Sequence, residues 1–83
     1  MIPLNTIKYR ELDKYLRDNN CFGFTASKRK HTIIYTYKRY FNSTNKLFLK
    51  VKVMRKTKFV MSVMLKDTIC TDYGELKKLV EFL

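Results

Sequence analysis

The sequence has few of the residues that mark several large classes of protein. Its 83 residues contain no tryptophan, one proline, two glycines, two cysteines and one histidine. A chain this short forms one domain over 1–83, because a second core would have too little apolar surface to offset the entropy of ordering it. The glycine-rich patterns G-x-x-x-x-G-K-[ST] and G-x-G-x-x-G are both absent, so no loop that holds nucleotide phosphates is predicted.

The two cysteines, Cys21 and Cys70, form no C-x-x-C pair, which argues against a zinc ribbon or a disulfide framework. We expect reduced thiols, no metal and no cofactor. No apolar run approaches the ~20 residues of a membrane span, and the first residues are charged where a signal peptide would be apolar. The sequence therefore predicts a cytoplasmic protein with no membrane partner.

Two segments have the three-and-four spacing of apolar residues that predicts an amphipathic helix. The first covers 6–18 and ends at Asn19–Asn20, since asparagine tolerates the left-handed conformation of a helix exit. The second covers 73–83 and begins after Asp72, which with Glu75 resembles a capping box. The apolar stripes are Tyr9, Leu12 and Leu16 in the first helix and Leu76, Leu79, Val80 and Leu83 in the second.

Between the helices the apolar period changes to two, which predicts strands. Two of them cover 46–54 and 59–65 and are joined by a hairpin at 55–57; a third covers 32–41, and 22–27 is either a short extra strand or a loop. The predicted inward residues are Leu47, Leu49, Val51 and Val53, then Phe59, Met61, Val63 and Leu65. The fold class is therefore α+β, in the order α-β-β-β-α, with a three-stranded antiparallel sheet and both helices on one face.

No acidic residue occurs in the 48 residues between Asp18 and Asp67, whereas 12 lysines and arginines do. The charges of the two terminal segments nearly cancel each other. The net charge of +11 therefore belongs to the sheet and its turns. Mixed charges suffice for a solvated face, whereas charge of one sign costs the folded state through self-repulsion, so we expect an anionic partner. The candidate nucleic-acid-binding residues are Lys28, Arg29, Lys30, Lys38, Arg39, Tyr40, Lys46, Phe48, Lys50, Lys52, Arg55, Lys56 and Lys58.

Aromatic residues interleave with this charge at Tyr35, Tyr37, Tyr40, Phe41 and Phe48. On a sheet that binds single-stranded nucleic acid, such rings stack on the bases. The alternative is that these aromatic residues fill the core of the domain. Phe48 alternates with the apolar face and so points outward with the lysines. The predicted outer face holds Phe48, Val60 and Met64, which alternatively form a patch for self-association or for a protein partner.

The only histidine, His31, is the one candidate for general acid or base catalysis; otherwise it is a surface residue of a basic loop. The order of elements resembles the double-stranded-RNA-binding-domain fold, which HicA-type mRNA interferase toxins also use. The stretch Gly23-Phe24, Lys28-Arg29-Lys30-His31 and Tyr35 is similar to the HicA pattern, in which a glycine-aromatic pair after the first helix leads to the catalytic histidine. This resemblance implies His31 as a catalytic residue.

The sequence predicts a small non-enzymatic RNA-binding protein, with DNA as the alternative polyanion. Abundant residues with A/T-rich codons suggest an A/T-rich genome, such as that of a phage or virus. We therefore expect a phage or viral accessory factor, or an inhibitor of a host RNA-linked toxin or defence system. Two alternatives stay open. One is a HicA-like ribonuclease that uses His31, and the other is an inhibitor that docks on an acidic surface of a host protein.

Overall fold

The strands form one antiparallel meander, which follows one helix along the chain and precedes another. The structure, a computed structural model, describes residues 1–40 and 46–81, with the backbone alone for Phe24, Tyr40 and Lys46. A 3-10 turn at Leu4–Thr6 precedes helix α1 (Tyr9–Asp18). Five strands, β1 (Cys21–Lys28), β2 (Thr32–Tyr40), β3 (Lys46–Met54), β4 (Val60–Leu65) and β5 (Thr68–Cys70), lead to helix α2 (Tyr73–Glu81). They lie side by side in chain order, each antiparallel to the next.

The predicted α+β class is confirmed, but the sheet of the described residues has five strands instead of three. The segment 22–27 belongs to β1, which pairs with β2 from Cys21 to Lys28 around one irregularity. β5 follows a turn at 66–67, where Lys66 takes a left-handed φ of 55°. A lysine-aspartate pair is not one of the dipeptides that mark hairpins, so the sequence patterns do not indicate this strand.

Helix α1 begins three residues later than predicted, because the chain first pairs with the sheet. The Thr6 hydroxyl donates to the Pro3 carbonyl at 2.7 Å and closes the 3-10 turn, so it does not cap α1. The Val60 N–H then donates to the Ile7 carbonyl at 2.9 Å, which ties the extended segment before α1 to the start of β4. The predicted helix exit is confirmed, since Asn20 has a φ of 64°.

Asp72 caps α2 and also holds the N-terminal segment. Its Oδ2 accepts the Glu75 N–H at 2.9 Å, which confirms the predicted cap, and its Oδ1 accepts the Ile2 N–H at 2.8 Å. These hydrogen bonds favour the charged carboxylate and lower the pKa of Asp72. One side chain therefore fixes both the start of α2 and the path of the first residues.

Both helices pack on one face of the sheet, which we call the inner face. The alternation predicted on β3 is confirmed: its inward residues are at most 5% exposed, and the residues between them point away from the helices. Cys21 and Cys70 are buried in the same core as free thiols. The core includes Leu12 and Leu16 from α1, Leu76 and Val80 from α2, and Leu47, Leu49, Val51 and Val53 from β3. Neither described helix is long and apolar enough to cross a bilayer.

A β-bulge reverses the predicted orientation of two residues on β4. Lys52 pairs with Ser62, but the next residue of β3, Val53, pairs with Val60, so that Met61 is the extra residue. Val60 is consequently fully buried, and Met61 is 37% exposed. The prediction of Val60 on the outer face and Met61 in the core is wrong, because plain alternation does not allow for a bulge. Val60 therefore takes no part in an outer apolar patch.

A hydrogen-bonded tyrosine cluster joins α1 to β2 on the inner face. The hydroxyl of Tyr37, which is fully buried, donates to Asp13 Oδ1 at 2.6 Å and lies 2.5 Å from the hydroxyl of Tyr9. Asp13 also accepts from Arg17 Nε at 3.0 Å. Burial and these hydrogen bonds raise the pKa of Tyr37. The polar ends of these rings are thus satisfied inside the fold.

The bulge predicts a large loss of stability from one substitution on β4 and almost none from its neighbour. Val60→Ala should lower the free energy of unfolding by about 2 kcal/mol, because it removes two buried methyl groups and leaves a cavity. Met61→Ala should change it by less than about 0.5 kcal/mol, since a surface side chain contributes little. Urea denaturation of both variants measures the difference. A larger effect of Met61→Ala would mean that β4 keeps plain alternation.

The tyrosine cluster predicts a loss of stability in alkali. A pKa raised in the folded state contributes stability that is present below pH ~10, the ordinary tyrosine pKa, and is lost as the pH rises above it. Tyr37→Phe should cost about 1–2 kcal/mol near pH 7, because it removes the hydrogen bond to the Asp13 carboxylate. It should also make the fall in stability between about pH 7 and pH 11 shallower. Denaturation curves at about pH 7 and pH 11 measure the fall in unfolding free energy for the wild type and for Tyr37→Phe. An equal fall in both proteins would contradict the prediction.

Candidate nucleic-acid interface

Two basic turns meet at one end of the sheet. One joins β1 to β2 and the other joins β3 to β4, so they are distant in sequence. The Arg55 N–H donates to the His31 carbonyl at 2.9 Å, and Arg55 Nη1 donates to the Arg29 carbonyl at 3.0 Å. The antiparallel pairing of β2 with β3 causes this contact, because it places Thr32 opposite Met54. The structure thus brings the cations of both turns together.

The start of α1 adds two cations that the sequence reasoning missed. Lys8 forms an isolated bridge with Phe59 near the start of β4, and its Nζ donates to the Thr57 carbonyl at 3.0 Å. Arg10 lines a groove of about 530 Å³ together with Lys8 and Lys58. Only the pairing of 7–8 with 59–60 indicates this placement, and no pattern in the sequence predicts it. We call the whole surface the basic end: Lys8, Arg10, Lys28, Arg29, Lys30, Arg55, Lys56 and Lys58.

The charge of the basic end is not neutralised within the described part of the chain. All eight side chains are on exposed residues, and none lies within 4.0 Å of a carboxylate in residues 1–40 and 46–81. The ion pair of Arg17 with Asp13 is on α1. A cluster of like charges raises the local concentration of counterions, so this end of the sheet is an electropositive surface.

His31 lies within the basic end. It lines a groove of about 500 Å³ with Lys30, Met54, Arg55 and Lys56, and its side chain is exposed. The lining residues of this groove include no carboxylate to orient the imidazole. Within the described residues, no group of three or more His, Cys, Asp or Glu side chains could hold a metal ion.

The side of the sheet away from the helices presents lysines beside apolar side chains. Across three neighbouring strands, Phe22 is the register partner of Lys38, and Lys38 is that of Phe48. Phe22 is 52% exposed and Phe48 is 42% exposed. We call this surface the open face: Phe22, Lys38, Phe48, Lys50, Lys52, Met64 and Ile69.

Shallow grooves connect the open face to the basic end along β3. One groove of about 360 Å³ is lined by Phe48, Lys50 and Met64, and a second of about 240 Å³ shares Lys50 and Met64 with it. The second groove is also lined by Lys52, and two residues further along β3 is Met54, which lines the His31 groove. The candidate interface is therefore one surface that extends about 20 Å along β3 from Phe48 to Met54, at ~3.4 Å per residue, and continues into the β3–β4 turn.

Arg39, a predicted nucleic-acid-binding residue, lies on the inner side of the sheet and not on the candidate interface. Its register partner is Leu47, an inward residue, and its guanidinium donates to the Val80 carbonyl near the end of α2. A cation at the carboxyl end of a helix also interacts favourably with the helix dipole. Arg39 thus connects α2 to the sheet.

Two of the predicted aromatic residues have roles inside the fold. Tyr37 is in the core. Tyr35 stacks on Tyr9 with ring centroids 3.9 Å apart, and both rings line the groove of Lys8 and Arg10. The side chains of Tyr40 and Lys46 are not among those described, and Phe41 and Leu83 lie outside the described residues.

Comparison with models of protein families, with curated proteins and with solved structures gives no match for this chain. The functional argument therefore depends on the geometry of the described residues.

The position of Arg39 predicts a structural effect. Arg39→Gln should lower the free energy of unfolding by about 1 kcal/mol, because the Val80 carbonyl loses a charged donor. Lys50→Gln is the matched control, since it makes the same charge change on the open face and should cost less than about 0.5 kcal/mol. Thermal and urea denaturation compare the two. Equal stability of both variants would show that the contact with α2 contributes nothing.

Proposed function

We propose that this chain is a small RNA-binding protein that holds the polyanion through the basic end and the adjoining lysines of the open face. The observation that carries the proposal is the contact of Arg55 with His31 and Arg29, which joins the two basic turns. None of the eight cationic side chains of the basic end lies within 4.0 Å of a carboxylate of the described residues. The preference for RNA over DNA rests on the resemblance noted in the sequence alone, because the five observed strands depart from the three strands of that fold.

The distribution of charge supports an external partner. All described acidic residues lie in the two helices, at Asp72 beside α2 or at Asp67 in the β4–β5 turn, whereas residues 19–66 contain none. Exchanging a few lysines for glutamates would relieve the repulsion and keep the surface solvated. The energetic cost of the unmixed charge is offset when phosphates bind and release their condensed counterions.

The number of cations determines how binding should depend on salt. If five to eight phosphates are contacted, the logarithm of the affinity should fall with the logarithm of the salt concentration at a slope between about −4 and −7. Lys50 and Lys52 extend the contacts beyond the basic end, because they lie on the same side of β3 as Phe48.

A charge-matched pair of variants tests the proposal. We expect Lys30→Ala/Lys56→Ala, both in the basic end, to reduce the magnitude of the salt slope by about 1.5 and to weaken binding to RNA at every salt concentration. The control Lys14→Ala/Lys78→Ala removes the same charge from exposed positions on the helices and should leave the slope nearly unchanged. Fluorescence anisotropy with a labelled single-stranded RNA at several salt concentrations measures the slopes.

Two results would overturn the proposal. The first is absent or salt-independent binding to single-stranded RNA, duplex RNA and duplex DNA; the second is an equal effect of both double variants. The RNA recovered after incubation in a chelator should be intact. Fragments that the wild type produces and His31→Ala does not would instead favour the ribonuclease alternative.

A further inference from the structure

The open face places two phenylalanines on either side of a lysine. Phe22, Lys38 and Phe48 lie on adjacent strands in direct register. Since neighbouring strands are ~4.8 Å apart, the α-carbons of the two phenylalanines are about 10 Å apart, with the lysine between them. A half-exposed phenylalanine has no polar end to hydrate, so two of them next to lysines indicate a ligand with both flat apolar and anionic groups.

We infer that the open face binds the unpaired bases of a single-stranded RNA, which stack on Phe22 and Phe48 while the phosphates follow Lys50 and Lys52 toward the basic end. The inference deepens the proposed function and rests on it. Every base has a π face, so such stacking accepts many sequences. The basic end by itself would hold single and double strands alike, because it contacts only phosphates.

The geometry favours a single strand over a duplex. Within a duplex each base is stacked on its neighbours, so only the terminal pairs expose a face to a phenyl ring. The rings of Phe22 and Phe48 belong to strands of one sheet and cannot separate stacked bases by moving apart. Bases that are already unpaired can turn onto them at lower cost.

Charge argues against a second copy of the chain on this face. A two-fold dimer would place the open face against itself, so that Lys38, Lys50 and Lys52 would face the same cations. No acidic residue occurs on the strands β1 to β4 to pair with them. Burying like charges in this way is unfavourable.

The test separates stacking from charge. The probes are a 12-nucleotide single-stranded RNA, an abasic strand of equal length and charge, and an RNA duplex, each titrated by anisotropy. We expect the wild type to bind the base-bearing strand at least tenfold more tightly than the abasic strand. Phe22→Leu/Phe48→Leu should remove this difference and leave the affinity for the abasic strand unchanged. The control Ile69→Leu, on the same face, should preserve the difference.

A second double variant protects the test against loss of the fold. Phe22→Tyr/Phe48→Tyr keeps both rings and should retain the preference for bases even if the leucine variant does not fold. Equal binding of the wild type to the base-bearing and abasic strands would overturn the inference while the proposed function stands, and so would tighter binding to the duplex. Competition by poly-glutamate as strong as that by the base-bearing strand would also overturn it, in favour of an acidic protein. Absence of salt-dependent binding to all three probes would overturn both proposals.

Discussion

The one-sided burial of β3 is the constraint on which the rest of the molecule depends. Leu47, Leu49, Val51 and Val53 face the helices, and the pleat of the strand then forces the intervening Phe48, Lys50 and Lys52 to the other side. β3 is the central strand, and residues paired in register point to the same side of a sheet. The side chains of its neighbours are therefore divided between the same two faces. The helices cover the inner face, and the same alternation that fills the core creates the open face.

Tyr37 and the pair Phe22 and Phe48 lie on opposite faces of the sheet. Tyrosines often lie at surfaces because their hydroxyl groups hydrate well, yet here Tyr37 is buried and its hydroxyl bonds to Asp13 on α1. Gly23 opposite Tyr37 makes room for this arrangement, since a β-carbon there would lie 3.3 Å from the ring. The phenylalanines Phe22 and Phe48 instead lie on the outer side, where apolar rings gain nothing from water. The inner face thus holds the hydrogen-bonded tyrosine, and the open face holds two half-exposed phenylalanines.

The basic end costs the folded state electrostatic repulsion, which the backbone offsets locally. Arg55 uses its own N–H and its guanidinium to bond carbonyls of the opposite turn, and Lys8 bonds the Thr57 carbonyl. Carbonyl oxygens carry partial negative charge and so stabilise neighbouring cations without neutralising them. The turns are thereby held together while their net positive charge remains directed at solvent.

The sequence by itself determined the α+β class, the alternation on β3, the cap at Asp72 and the acid-free stretch, because each is encoded by residues close together in the chain. The tertiary structure decided the rest. The bulge that buries Val60 depends on pairing with Ile7, more than fifty residues away, and Arg39 became a contact of α2 through Val80. Likewise, only the register of three strands places Phe22 and Phe48 on either side of Lys38. A local pattern fixes which residues share a face of one strand, whereas long-range pairing decides what that face meets.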